Sequence, residues 1–106
     1  MTLALAVKEL VYQAAEQNMI SPKAIRKIVL YNEENPYITI HLKRNAWIYF
    51  KGQKIKTITQ TITITPRIRQ LLEHLDKINA HELHIYVKIR NENIYCDVRA
   101  VPFITS

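Results

Sequence analysis

The sequence predicts an α+β protein in which two helices cover one face of a mostly antiparallel sheet of about five to six strands. Two segments, Thr2–Asn18 and Pro66–Asn79, repeat apolar residues at helical spacing. Several other segments alternate apolar and polar residues, which is typical of half-buried strands. Because only short turns connect these segments, we expect a single domain over residues 1–106.

The first helix is predicted to end at Asn18, since asparagine is a common helix end and Pro22 follows shortly after. The next segment allows two interpretations. Ser21 and Pro22 are typical of a helix start, and a second helix through Lys27 would resemble a winged helix-turn-helix arrangement. Residues 27–31, however, favour extended structure, so we expect a strand that begins near Ile25.

Three further strands are predicted after the turn at residues 32–36. Tyr37–Lys43 alternates cleanly, and in Trp47–Lys51 we expect Phe50 to belong to the core. The third strand, Lys54–Thr65, has threonine at every odd position from Thr57 onward. Gln60 interrupts its apolar row, which indicates a bulge or an exposed edge.

The threonine strand has a consequence for assembly. An uncharged, proline-free strand that favours β structure is an aggregation hazard when its edge is bare. We therefore expect it to lie inside the sheet or to pair with a second copy, which makes a homodimer the expected assembly. After it, Thr65 and Pro66 begin the second helix, and a terminal hairpin pairs residues 83–90 with 94–100.

The most informative functional feature is a block without acidic residues between Asn35 and Leu72. The chain is formally +6, and this block carries seven basic residues, so the positive charge is concentrated there. Such a block attracts polyanions. The chain has a single glycine, Gly52, which excludes a P-loop or a Rossmann dinucleotide fingerprint.

Aromatic residues lie among these cations, which is the combination that stacks bases and neutralises phosphates. We expect Trp47 and Tyr49 to share an open sheet face with Tyr37 and His41. The sequence thus predicts a nucleic-acid-binding protein of low sequence specificity. The alternative is a protein-interaction or assembly module, of the kind that viruses and plasmids encode, whose aromatics pack against a partner. The candidate binding residues are Lys43, Arg44, Trp47, Tyr49, Lys51, Lys54, Lys56, Arg67 and Arg69.

Arg67 and Arg69 stand in the first turn of the second helix. Cations there oppose the helix dipole unless an anion is present, so free backbone N–H groups and two arginines could bind phosphate. In the alternative interpretation Arg69 pairs with Glu73 one turn later and Arg67 is solvated.

No catalytic, cofactor or metal signature accompanies this block. His81 and His84 lack the cysteine partners of a zinc site, and Cys96 is the only cysteine, on a predicted buried face. The apolar stretch at the N-terminus is too short for a signal sequence or a membrane span. We therefore expect a cytoplasmic, non-enzymatic protein with no cofactor, no metal, no membrane association and no small-molecule substrate.

Overall fold

Two helices and seven strands make up residues 2–103, the part of the chain that this computed structural model describes. The helices are α1 (Leu3–Gln17) and α2 (Pro66–Lys77). The strands are β1 (Ile25–Tyr31), β2 (Tyr37–Leu42), β3 (Ile48–Phe50), β4 (Gln53–Ile55), β5 (Thr57–Thr61), β6 (Ala80–Arg90) and β7 (Asn93–Pro102). The predicted α+β class is confirmed, with the two helices on one face of an antiparallel sheet.

Five strands form the main sheet in the order β5-β2-β1-β6-β7, and every neighbouring pair is antiparallel. The register aligns the apolar rows of adjacent strands. Ile28 lies between Ile40 and Ile85, while Leu30 lies between Ile38 and Leu83. Because successive side chains alternate between faces, one face of this sheet is aliphatic and the other carries the polar and aromatic residues.

Both helices pack their apolar stripes on the aliphatic face. The fully buried side chains include Val7, Leu10, Ile25, Ile28, Leu30, Ile38, Ile40, Ile68, Leu71, Leu75, Leu83 and Ile85. Burial of one such side chain stabilises the fold by roughly 1.5–3 kcal/mol. Neither helix within residues 2–103 combines the length and the apolar character that crossing a membrane requires.

Helix α1 ends as the sequence predicts, and the ambiguous segment after it is extended. Asn18 is the C-cap, and Met19 adopts a left-handed conformation (φ 55°). The N–H of Met19 donates to the Glu16 carbonyl and that of Ile20 to the Ala15 carbonyl, which is a Schellman motif. Ser21 caps only a 3₁₀ turn, Pro22–Ala24, before β1 begins at Ile25. The second helix of a winged helix-turn-helix arrangement is therefore not formed there.

The predicted strand from Lys54 to Thr65 is wrong in its extent. The chain bends at Lys56 and β5 ends at Thr61, so Ile64 lies outside the strand, and it is only 38% exposed. The bend lets the Leu42 N–H donate to the Lys56 carbonyl (2.9 Å), which brings β5 alongside β2. The threonine strand is thus an edge strand and not an interior one. Gln60 lies on this strand without a bulge, and its partly buried side chain accepts a hydrogen bond from Nδ2 of Asn18 (2.8 Å).

This pairing also separates β3 from the main sheet. Since β5 occupies the outer side of β2, the only partner of β3 in residues 2–103 is β4, and the two form a separate hairpin. The expectation that Trp47 and Tyr49 share the open sheet face with Tyr37 and His41 is therefore wrong. The terminal hairpin is present as predicted but longer, and it turns at Asn91 and Glu92.

Candidate nucleic-acid interface

The β3–β4 hairpin closes through a tight two-residue turn. Ile48 pairs with Ile55 and Phe50 with Gln53, so only Lys51 and Gly52 lie between the strands. Both turn residues have positive φ, 51° and 79°, as a type I′ turn requires. The single glycine of the chain is used here, where the left-handed conformation carries no steric penalty.

The hairpin is attached to the body of the protein on one side. Ala46 and Ile48 are partly buried and pack against the core. The preceding turn is held to the 3₁₀ turn before β1, because the Lys43 N–H donates to the Ala24 carbonyl (2.9 Å). These contacts fix the position of Arg44, whose side chain is exposed in the same turn. Lys43 and Arg44 therefore lie next to the hairpin on an anchored segment.

Three aromatic side chains of the hairpin face solvent. The exposed fraction is 41% for Trp47, 73% for Tyr49 and 63% for Phe50. The expectation that Phe50 belongs to the core is wrong, because β3 is outside the main sheet and only Ile48 reaches the core from it. The ammonium groups of Lys54 and Lys56 lie 4.1 and 4.6 Å from the centroid of the Trp47 ring. Lys51 lies 5.5 Å from that of Phe50.

The cations around these rings lack acidic partners. Within residues 2–103, no carboxylate lies within salt-bridge distance of the five basic side chains of this region. They are Lys43, Arg44, Lys51, Lys54 and Lys56. We call these five cations, together with Trp47, Tyr49 and Phe50, the hairpin surface. The hairpin surface contains seven of the nine candidate binding residues that the sequence predicted. Phe50 was not among those nine.

The two remaining candidates, Arg67 and Arg69, lie in the first turn of α2 and contact different groups. The Nε atom of Arg67 is 3.2 Å from a carboxylate oxygen of Glu9 in α1, so Arg67 links the two helices. Its Nη1 atom is buried with no hydrogen-bond partner among the described residues. Arg69 is exposed, and no ion pair with Glu73 is formed in residues 2–103. The ion pair to Glu9 engages Arg67 between the two helices, and 23% of its side chain is exposed.

The open face of the main sheet is a second surface that combines aromatic and charged residues. Tyr31 and Tyr37 stack there with ring centroids 4.4 Å apart. Arg99 pairs with Asp97 at 3.5 Å, and it also lies 5.5 Å from the centroid of the Tyr86 ring. Many of the polar and aromatic groups on this face thus already contact one another.

His41 lies on the open face, where its Nε2 atom is 3.1 Å from the hydroxyl oxygen of Thr39. Partial burial lowers the pKa of the His41 imidazole below its usual value, and the nearby charge of Lys27 lowers it further. Burial raises the pKa of the Cys96 thiol, which lies on the helix-facing side of β7. Within residues 2–103, no three histidine, cysteine or acidic side chains are close enough together to hold a metal ion.

Sequence reasoning missed two residues, Met19 beside the hairpin and Ile55 within it. The side chain of Met19 is 93% exposed, because the left-handed conformation at the end of α1 directs it away from the core. Ile55 belongs to β4, and it lines the same depression as Met19 and Phe50. The sequence signal for Met19 was Asn18, since the residue after a helix C-cap commonly adopts positive φ.

Comparison with known protein families, with curated proteins and with solved structures finds no match to this chain.

Proposed function

We propose that this protein binds nucleic acid through the hairpin surface, with low sequence specificity and without catalysis. The observation that carries the proposal is the set of five cations with no acidic partner in residues 2–103, grouped around three exposed aromatic rings. Cations of this kind neutralise phosphates, and aromatic rings stack on bases of any sequence. The cytoplasmic location expected from the sequence accords with this role.

The lysines that lie over Trp47 do not prevent base stacking. A cation–π contact at an exposed site is worth about 0.5–1 kcal/mol. Stacking of one base on an aromatic side chain is worth about 1–3 kcal/mol. Replacing both Lys54 and Lys56 on the Trp47 ring costs about 1–2 kcal/mol, and base stacking together with new contacts of the released ammonium groups to adjacent phosphates offsets that cost. Since stacking needs bases outside a duplex, we propose a preference for single strands.

Fluorescence anisotropy with labelled single- and double-stranded oligonucleotides, measured across salt concentrations, tests the proposal. If about four phosphates are neutralised, log K should fall with a slope near −3 to −4 against log salt. Single strands should bind more tightly than duplexes of the same sequence, and different sequences should bind similarly. Absence of binding at low salt would rule out the proposed function.

A second candidate function is that of a protein-interaction or assembly module. It is favoured by the exposure of Tyr49, Phe50 and Met19, because clustered exposed apolar side chains are typical of protein-binding surfaces. A homodimer through the bare edge of β5 is one form that such an assembly could take. Sedimentation over a range of protein concentrations separates the two candidates, since a tight, salt-insensitive dimer that ignores oligonucleotides supports the second.

A further inference from the structure

An apolar groove of about 680 Å³ lies between the hairpin and the C-terminal end of α1. The exposed side chains of Met19, Tyr49 and Phe50 line it, and Ile55 contributes from β4. Thr57 and Thr59 of β5 form part of the same lining, so the groove runs beside the outer edge of the main sheet. We call it the β5 groove.

At this edge the backbone of β5 has N–H and carbonyl groups that do not point at β2. The Leu42 N–H donates to the Lys56 carbonyl (2.9 Å), and antiparallel ladders alternate between bonded and non-bonded pairs. Lys56, Ile58 and Gln60 therefore direct their backbone groups at β2. Those of Thr57, Thr59 and Thr61 point away from the sheet. Three N–H groups and three carbonyls are thus presented in the order that an added strand requires.

The two edges of the main sheet differ in their protection against strand addition. The outer strand β7 carries Asp97, Arg99 and Pro102, and charged residues and proline are devices that keep edge strands from pairing. The strand β5, Thr57–Thr61, contains only threonine, isoleucine and glutamine and has no bulge in its pairing with β2. The unprotected edge is the one beside the groove, so edge and groove together form a site for an extended chain.

The groove lining itself carries no charged side chain, and the charges that flank the groove favour one kind of extended chain over another. Lys51 lies against the Phe50 ring, and Lys56 immediately precedes the free edge. No acidic residue occurs between Asn35 and Leu72, so a second copy would bring another cationic block to the same place. An acidic chain would bring the complementary charge. We propose that the β5 groove binds an extended acidic segment of a partner protein, which joins β5 as a further strand of the main sheet and places alternate apolar side chains in the groove.

This inference goes beyond nucleic-acid binding, because it depends on the β5 edge and the groove and not on base stacking at Trp47. A suitable probe is a fluorescein-labelled peptide of about ten alternating valine and glutamate residues, the length of a long strand. The matched control peptide replaces each glutamate with lysine. The acidic peptide should bind at least about tenfold more tightly than the basic peptide. A tenfold ratio requires a difference of only about 1.4 kcal/mol in binding free energy between the two peptides.

Amide hydrogen exchange measured by NMR reports the binding mode directly. The acidic peptide should slow the exchange of the Thr57, Thr59 and Thr61 amides, which point away from β2. The Ile58 and Gln60 amides already face β2, so the peptide should alter their exchange much less. Unchanged exchange at the three threonines would overturn the proposal, and so would equal binding of both peptides.

Two variants test the edge and the groove separately. Thr59→Pro removes an N–H that makes no bond to β2, and edge strands tolerate proline at such positions. Phe50→Ser removes an exposed groove wall and should leave folding intact, as circular dichroism would verify. Each should weaken acidic-peptide binding about three- to tenfold, the range expected from one hydrogen bond or one exposed contact. Tyr95→Ser, an exposed aromatic on β7, should not change it.

Other occupants have distinct signatures. Protection of the three threonine amides in the free protein that rises with protein concentration would show that a second copy fills the edge, and it would overturn the acidic-segment proposal. Protection by an oligonucleotide, with no effect of the peptide, would also overturn it. Thr59→Pro should leave oligonucleotide affinity unchanged and Trp47→Ala should leave peptide affinity unchanged, so the failure of one proposal is distinguishable from that of the other.

Discussion

The hairpin surface and the open face of the main sheet contain the same kinds of residue in different states of pairing. On the open face, Tyr31 stacks on Tyr37 and Arg99 pairs with Asp97. On the hairpin, Tyr49 is mostly exposed, and Lys51, Lys54 and Lys56 lie over aromatic rings with no carboxylate within salt-bridge distance in residues 2–103. Composition alone therefore does not identify a binding surface. Neighbouring side chains decide whether a cation or a ring is available to a ligand. Arg99 has Asp97 two residues away on the same strand, and Tyr31 has Tyr37 on the adjacent strand. Lys27, on the same face, lies over the Tyr86 ring with no carboxylate partner in residues 2–103.

The largest expected effect comes from removal of the hairpin charges. Alanine at Lys51, Lys54 and Lys56 together should reduce the magnitude of the salt slope of single-strand binding by about two to three, since each lysine releases one counterion equivalent. Salt-dependent anisotropy measures this slope.

The matched control removes three cations that lie elsewhere, Lys8, Lys88 and Arg90, all of them exposed. It lowers the formal charge by the same amount. If this control reduces the salt slope as strongly as the hairpin variant does, binding follows net charge, and the distinction between the two surfaces fails.

The next effect concerns the aromatic rings. Trp47→Ala should weaken single-strand binding by about 1–3 kcal/mol, because a stacked base loses its platform. Tyr95→Ala, on the open face, should change it by much less than 1 kcal/mol, although the Tyr95 ring is more exposed than that of Trp47. Anisotropy at fixed low salt makes the comparison. Equal losses for the two variants would contradict the assignment of stacking to the hairpin.

A smaller effect is expected at the start of α2. Arg67→Met keeps the apolar stem but removes the ion pair with Glu9, so the free energy of unfolding should fall by no more than about 1 kcal/mol. Oligonucleotide binding should stay unchanged, because the arginine is engaged between the helices. Arg69→Met is the control, and it should leave stability unaltered. Urea denaturation measures the free energy of unfolding. A loss of nucleic-acid binding in Arg67→Met would contradict the prediction and show that Arg67 contributes to binding.

The smallest expected effect is a pH dependence from His41 on the open face. Burial lowers its folded-state pKa below the usual value near 6.5, so the neutral form is the one that folding favours. This stabilisation is complete above the unfolded pKa and is lost as the pH falls through the folded pKa. The melting temperature should therefore decrease on acidification below about pH 6.5, and His41→Gln should reduce that decrease.

An NMR titration of the imidazole checks the assignment. Lys27→Met should raise the His41 pKa only part of the way to its usual value, because burial is the larger cause and the Lys27 charge the smaller one. A His41 pKa at or above its usual value in the native protein would contradict the structural explanation.

The candidate site was predictable as a set of residues but not as a surface. Seven of the nine candidates meet around the hairpin, because residues 43–56 are continuous in sequence and a short turn keeps them together. Arg67 could not be assigned in advance, since its partner Glu9 belongs to a helix that is distant in sequence. Met19 was missed for the same reason, as nothing in the local pattern places the end of α1 beside the hairpin.

The sequence alone determined the α+β class, the extent of both helices to within two residues, the terminal hairpin and the acid-free block, because helical spacing, alternation and capping act over a few residues. Tertiary structure decided which strands pair. The bend at Lys56 places β5 along the outer side of β2, so β3 pairs with β4 instead. The threonine strand β5 is then the outermost strand of the main sheet. Strand pairing joins residues far apart along the chain, and the alternation of a single strand carries no information about its neighbour.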